Sequence, residues 1–224
     1  MAFVITIDGP AGAGKSSVAR KVARRLGIRY LDTGAIYRAV ALALDRANIS
    51  PVETPSLVDA LQEIKVELKE EGVIVDGVDV SADIRSPRVD AIVSAYSALK
   101  SVREALLGLQ RDQEQFGSLV VEGRDVGSVV FPDAPLKFFL TASPEARARR
   151  RCLEREGRGE SLSYEEVLAG IKERDRIDSG RDVAPLCCPE GAVFVDTSDM
   201  TEDEVVAYLE RCAKDALAKK EVVI

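Results

Sequence analysis

The run Gly9-Pro-Ala-Gly-Ala-Gly-Lys15-Ser16 meets the spacing G-x-x-x-x-G-K-[ST] at every fixed position. Glycines in such a run accept positive φ and let backbone N–H groups approach phosphate oxygens with no Cβ between them. The start of the helix that follows adds partial positive charge. Lys15 is spaced to reach the β- and γ-phosphates of a nucleoside triphosphate, and the Ser16 hydroxyl to hold Mg²⁺. Gly9, Pro10, Ala11, Gly12, Ala13, Gly14, Lys15, Ser16 and Ser17 therefore form a candidate ATP cradle. The chemistry is phosphoryl transfer, to water or to a metabolite. The sequence has no N-K-x-D run to read guanine, which weighs against a small GTPase.

Three further constellations carry acceptor chemistry. Leu31-Asp-Thr-Gly-Ala-Ile-Tyr37-Arg38 opens a helix at the carboxyl end of a strand, where α/β proteins bind ligands. Arg38 there could clamp a phosphate bidentately; it could also be a surface arginine, and Tyr37 a core side chain. Glu122-Gly-Arg124-Asp125 follows another strand. Arg124 could hold a phosphate, and Asp125 could accept from an exocyclic amine such as N4 of cytosine. A self-satisfied Arg–Asp pair is the plain alternative. In Arg174-Asp-Arg-Ile-Asp178-Ser-Gly-Arg181, Arg174 and Asp178 are four residues apart, so they share a helix face. They could grip a ribose hydroxyl and a phosphate, or only each other.

Arginine is dense from Arg147 to Arg158, with Arg149, Arg150, Arg151 and Arg155 between them. Like charges at i, i+4 and i+8 oppose helix stability. One reading is a helix laced by Glu145, Glu154 and Glu156. The other is a mobile lid over 147–163, with Gly157 and Gly159 at its tip, that brings Arg151 and Arg155 to the transferring phosphoryl group.

These residues need elements to hold them. Short β-branched runs at Phe3–Asp8, Ile28–Leu31, Leu119–Val121, Leu136–Leu140 and Ala192–Val195 read as buried strands. Helical spacing covers Ser16–Leu26, Ala35–Ala47, Ser143–Glu156, Tyr164–Ile177 and Glu202–Lys219. Alternation of this kind gives an α/β fold: a parallel sheet with helices on both faces. From Thr54 to Val89 the rhythm changes to alternating apolar and charged residues, with Asp76-Gly77 as a two-residue hairpin signal. This predicts a small antiparallel lobe, inserted over about 54–97 into a single domain spanning 1–224, that touches the acceptor.

Composition narrows the class. The chain has 224 residues, 46% of them hydrophobic and 31% charged, as expected of a globular protein. Its net charge of −7 disfavours non-specific binding to nucleic acid. No apolar run approaches a membrane span, and the first fifteen residues do not resemble a signal peptide. The four cysteines lack C-x-x-C spacing and are expected to be reduced thiols in the cytoplasm. There is no histidine, so Ser-His-Asp chemistry is excluded.

Together, Gly9–Ser16, Leu31-Asp-Thr-Gly-Ala-Ile-Tyr-Arg-Ala, Glu122-Gly-Arg-Asp-Val-Gly, Val130-Phe-Pro-Asp-Ala, Arg174-Asp-x-x-Asp-x-x-Arg181 and Pro185-Leu186 resemble bacterial cytidylate kinases, in that family's order and over essentially the whole chain. The resemblance implies a P-loop NTPase-type core with a five-stranded parallel sheet, an antiparallel acceptor-binding lobe and an arginine-rich lid. It implies ATP with Mg²⁺ as donor and CMP or dCMP as acceptor; with the charge and hydropathy above, the expectation is a monomer with no nucleic-acid or membrane partner. It assigns acceptor contacts to Thr33, Tyr37, Arg38, Ser94, Arg103, Arg124, Asp125, Arg174, Asp178 and Arg181. Arg38, Arg124 and Arg181 would hold the acceptor phosphate. Ser94, Arg103 and Asp125 would read the base, and Arg174 with Asp178 the sugar. Lys15, Arg124, Arg151 and Arg155 would neutralise charge in transfer, without a protein general base. Thr33 stands where some relatives have Ser, and keeps the hydroxyl. The rival readings are a P-loop kinase for UMP, dTMP or dephospho-coenzyme A, and a nucleotide-binding regulatory module without turnover.

Overall fold

The computed structural model describes residues 2–69, 72–157 and 163–221. The chain begins β1 (Val4–Asp8), α1 (Lys15–Leu26), β2 (Arg29–Asp32), α2 (Thr33–Arg46). Next come α3 (Pro55–Glu63), β3 (Val66–Lys69), β4 (Gly72–Val75), β5 (Val78–Asp79), α4 (Pro87–Ser97) and α5 (Lys100–Arg111). The remainder is β6 (Leu119–Gly123), β7 (Leu136–Thr141), α6 (Pro144–Glu156), α7 (Tyr164–Gly180), β8 (Val193–Asp196) and α8 (Glu202–Glu221). Two compact units emerge: Met1–Leu31 with Glu114–Gly180 and Ala184–Ile224, and Asp32–Gln113 with Arg181–Val183.

The first unit is built on a five-stranded sheet of order β2-β6-β1-β7-β8, in which β1 runs parallel to β6 and β7, and β7 to β8. β1 is buried along its whole length, as a parallel strand covered on both faces should be. Because side chains alternate, Phe3, Ile5 and Ile7 join Val18, Val22, Val205 and Leu209 in the apolar core beside α1 and α8. Thr6 and Asp8 point the other way, toward Gly127 and Pro189. α1 ends at Gly27 with φ 66°, the left-handed stop expected of a glycine there.

The second unit carries the three-stranded antiparallel sheet β3-β4-β5. Asp76 and Gly77 both have positive φ, 51° and 80°, as their hairpin signal requires. The sheet buries Val73 and Val75 with Val80, Ile84 and Val89 against Ala35, Ala39 and Leu42 of α2.

Sequence reading assigns no element between Val89 and Leu119 and reads the whole of Thr54–Val89 as meander; the structure places most of α4 and α5 in the first stretch and α3 at the start of the second. Their signals are local: Thr54-Pro55 and Ser86-Pro87, each a hydroxyl that caps the helix followed by proline in its first turn. No helix among the described residues is long and apolar enough to cross a membrane.

Candidate active site

The phosphate cradle lies between β1 and α1. A Cβ on Gly9 would stand 1.8 Å from the Leu140 carbonyl oxygen, so only glycine fits beside β7. Gly14, at φ 85°, caps α1 with no side-chain hydrogen bond. The first N–H groups of the helix therefore have no capping side chain and suit an anion. On the outside of the loop, Arg147 Nη1 donates to the Ala11 carbonyl at 3.2 Å and Thr197 Oγ1 to that of Ala13 at 3.4 Å. Ser16 is exposed at the start of α1, while the Ser17 hydroxyl turns back to the Gly14 carbonyl at 3.1 Å. A cradle that a Cβ would fill, an uncapped helix start and an exposed Ser16 hydroxyl fit a triphosphate carrying Mg²⁺. No trio of acidic or cysteine side chains among the described residues forms a metal site of its own.

Lys15 is only 6% exposed and donates to the Pro10 carbonyl at 2.8 Å. Burial pushes its pKa down to about 7. The charges of Arg124 and Arg174 push the same way, and Glu122 and Asp8 oppose them. Those four side chains thus act on the lysine electrostatically. Glu122 is buried at the end of β6 and accepts from the Tyr30 hydroxyl at 2.6 Å. Arg124 Nε donates to Asp178 Oδ2 at 2.8 Å, and Arg174 Nε lies 3.9 Å from the same oxygen. The i,i+4 pair read from sequence therefore exists, but the closer partner of Asp178 is Arg124. Asp125, next in the chain, is 4% exposed.

The arginine run divides. Arg147 is buried, donates to Asp175 through Nη1 at 3.0 Å and Nη2 at 2.7 Å, and through Nε to the Ala142 carbonyl at 2.8 Å. Arg150 donates to Thr197 and to the Met200 carbonyl. Both anchor α6. Arg151 and Arg155 are half-buried, Arg151 lying 3.2 Å from Glu154. Arg158, Gly159 and the rest of 158–162 lie outside the described residues.

Thr33, Tyr37, Arg38, Ser94, Arg103 and Arg181 belong to the second unit. Tyr37 is buried, with the Arg103 guanidinium 5.2 Å from its ring centroid and Gln110 Nε2 3.4 Å from its hydroxyl. Arg103 donates to the Ser97 carbonyl at 3.1 Å, and the Ser97 hydroxyl to that of Ser94 at 3.2 Å. Arg38 is not a surface arginine: its side chain is 12% exposed, and it donates to Asp90 at 2.5 Å and to the Ile84 carbonyl at 3.2 Å. Thr33 is buried in the first turn of α2, and Arg181 is half-buried. Sequence reasoning missed the supporting groups Tyr30, Asp90, Gln110 and Asp175. Their partners lie 28 to 92 residues away, so no local pattern marks them.

Comparison with known proteins places the chain in a family. A solved structure of an uncharacterized protein from Eubacterium ventriosum shares the fold, with a TM-score of 0.53 at 14% identity over 96% of this chain and 99% of its own. The cytidylate kinase of Caldanaerobacter subterraneus is 51% identical over 202 residues, 90% of each protein. That of Mycobacterium leprae is 50% identical over 208 residues, 92% of this chain and 93% of its own. The family model described as cytidylate kinase matches residues 5–215. With that match over nearly its whole length, and relatives at half identity, the chain belongs to the cytidylate kinase family of P-loop kinases.

Proposed function

We propose that this enzyme transfers the γ-phosphoryl group of ATP to CMP and dCMP. The observation that carries the reading is the run Arg124-Asp125 directly after β6, in which Asp125 is buried, and Arg124 bonds to Asp178 and acts electrostatically on the P-loop lysine. A phosphate-binding guanidinium and an amine-accepting carboxylate then follow directly from the strand beside the donor cradle. Arg38, Arg124 and Arg181 hold the acceptor phosphate in this reading. Ser94, Arg103 and Asp125 read the base, Arg174 and Asp178 the sugar, and Thr33 and Tyr37 line the acceptor.

No side chain has to act as general base. A phosphomonoester has a second pKa near 6, so the acceptor is mostly dianionic at pH 7 and is itself the nucleophile. Lys15 binds the β- and γ-phosphates, and Arg151 and Arg155 meet the charge that spreads over the transferring group. Mg²⁺, bound with ATP through the Ser16 hydroxyl, would supply further positive charge there. The protein's own contribution is positioning and the exclusion of water, which limits ATP hydrolysis.

The deciding experiment is a panel of nucleoside monophosphates with Mg·ATP, read by ADP release. CMP and dCMP should turn over best. Turnover of UMP or dTMP far above CMP would overturn the acceptor assignment, and the lack of any acceptor-dependent ADP release would mark a regulatory nucleotide-binding protein.

A further inference from the structure

Asp8 is the last residue of β1 and is fully buried. Its two carboxylate oxygens are each engaged: Oδ1 accepts from the Val126 N–H and Oδ2 from the Gly127 N–H, both at 2.7 Å. Those are the first two N–H groups of one wide helical turn, Val126–Val130, which closes through Phe131 N–H to the Val126 carbonyl at 2.7 Å and Val130 N–H to that of Asp125 at 3.3 Å. The contact spans 119 positions in sequence. On one side of it begins the phosphate cradle at Gly9; on the other, the turn follows directly from Arg124 and Asp125.

A second feature shows that the approach is built rather than incidental. A Cβ on Gly127 would stand 2.7 Å from Thr6 Oγ1, 3.1 Å from Asp8 Oδ2 and 3.1 Å from Pro189 Cγ. The turn is pressed onto β1 from one side, with Pro189 closing the contact. Thr6 Oγ1 is buried without a hydrogen-bond partner, so its contact with Gly127 is one of shape alone.

We propose that Asp8 is a positioning residue that locks the Asp125-led turn onto the strand end that opens the phosphate cradle, fixing the register between donor-contacting and acceptor-contacting side chains. The proposal rests on the reading above that Arg124 and Asp125 contact the acceptor. The chemistry favours a carboxylate: two convergent N–H donors need two acceptors, and an asparagine supplies one acceptor and one opposing donor. A buried carboxylate is costly unless hydrogen-bonded, which argues for a task beyond filling space. Burial raises the Asp8 pKa to about 6 against its two backbone bonds; Asp125 adds to the rise and Lys15 opposes it, and the Cys188 thiol lies within electrostatic reach. The ionised form is the one the geometry fits, since both oxygens accept backbone N–H groups.

The test is kinetic, on the full chain. Asp8→Asn and Gly127→Ala should each lower kcat at saturating ATP and CMP by about 10- to 100-fold, since a misplacement of about 1 Å can cost on the order of 100-fold. The dissociation constant of ADP, by calorimetry, should stay within about twofold of wild type. Thr6→Ala alone removes an unpaired hydroxyl and should leave kcat unchanged. Combined with Gly127→Ala it removes the tightest of the new Cβ's three contacts, the one at 2.7 Å, and should restore several-fold of the lost kcat. If Asp8→Asn does not fold, the Gly127→Ala pair with its rescue decides. Wild-type kcat in folded Asp8→Asn or Gly127→Ala sinks the proposal. So does a parallel loss of ADP affinity, which would restrict Asp8 to shaping the cradle, or the absence of rescue. Where Asp125→Asn alters base selectivity while Asp8→Asn is silent, the registration idea alone fails. Where both are silent, the acceptor reading falls with it.

Discussion

Lys15 and Asp125 are both buried ionisable groups, and each leads to a measurable consequence. The free lysine titrates near pH 7 because burial and two neighbouring guanidinium groups disfavour its charge. A triphosphate brings negative charge to it and raises that pKa. Between about pH 7 and 9 the free enzyme holds less than one proton there and the complex nearly a full one. Nucleotide binding should therefore take up protons, and affinity should fall as pH rises through this window. Calorimetry in buffers of different ionisation enthalpy reads the uptake; Lys15→Ala should abolish it and reduce kcat by orders of magnitude. Proton release on binding, or none, contradicts the lysine's assignment. Asp125, if it accepts from the cytosine amine, meets a carbonyl oxygen in uracil. An unpaired buried polar group costs about 1–3 kcal/mol, so this contact should favour CMP over UMP at least about tenfold. Asp125→Asn can rotate its amide to donate to that carbonyl. It should narrow the CMP/UMP ratio of kcat/KM, mainly by weakening CMP, and an unchanged ratio would mean that the residue does not read the base.

Helix α6 shows how one arginine-rich segment divides its work. Arg147 and Arg150 are spent on anchoring, to Asp175 and the Ala11 carbonyl in one case and to Thr197 in the other. Arg151 and Arg155 remain half-buried farther along the helix. The two classes should separate in mutants. Arg147→Ala leaves the quarter-exposed Asp175 without its bidentate partner and should cost about 2–3 kcal/mol of stability, the low side of the range for a broken buried pair. Arg151→Ala or Arg155→Ala should change stability by no more than about 1 kcal/mol, as for partly exposed side chains whose ion pairs contribute little, yet lower kcat at least about tenfold. Melting curves beside steady-state kinetics check both. A marked loss of stability with normal turnover in the Arg151 or Arg155 variant would make that side chain part of a salt-bridged helix and nothing more.

Across the whole molecule, ligand binding and stability are linked by mass action. A ligand present at about 100 times its dissociation constant adds about 2.7 kcal/mol to the stability of the state that binds it. For a chain of this size that corresponds to a rise in Tm of about 5–10 °C. ADP and CMP should each produce it in thermal melts. UMP at the same concentration should fall short by about 3–5 °C, the equivalent of tenfold weaker binding. Equal shifts for UMP and CMP would place their discrimination in the chemical step and not in ground-state binding.

The amino-acid sequence by itself determined whatever depends on neighbours within a few positions. Gly9 to Ser16 dictate a cradle, Asp76-Gly77 a hairpin with two positive φ angles, and Gly27 a helix stop, because conformational freedom is a local property of residue type. The strand and helix periodicities, and with them the α/β class, are legible for the same reason. The helices between Val89 and Leu119 are legible in principle through Ser86-Pro87 and the amphipathic α5. What tertiary structure alone decided concerns partners far apart in the chain: Asp8 with Gly127, Arg147 with Asp175, Arg124 with Asp178, and Arg103 over Tyr37. A sequence shows that an arginine or aspartate is present. Whether it is solvated, anchored or held ready for substrate depends on which distant elements exclude water around it, and only the packed chain settles that.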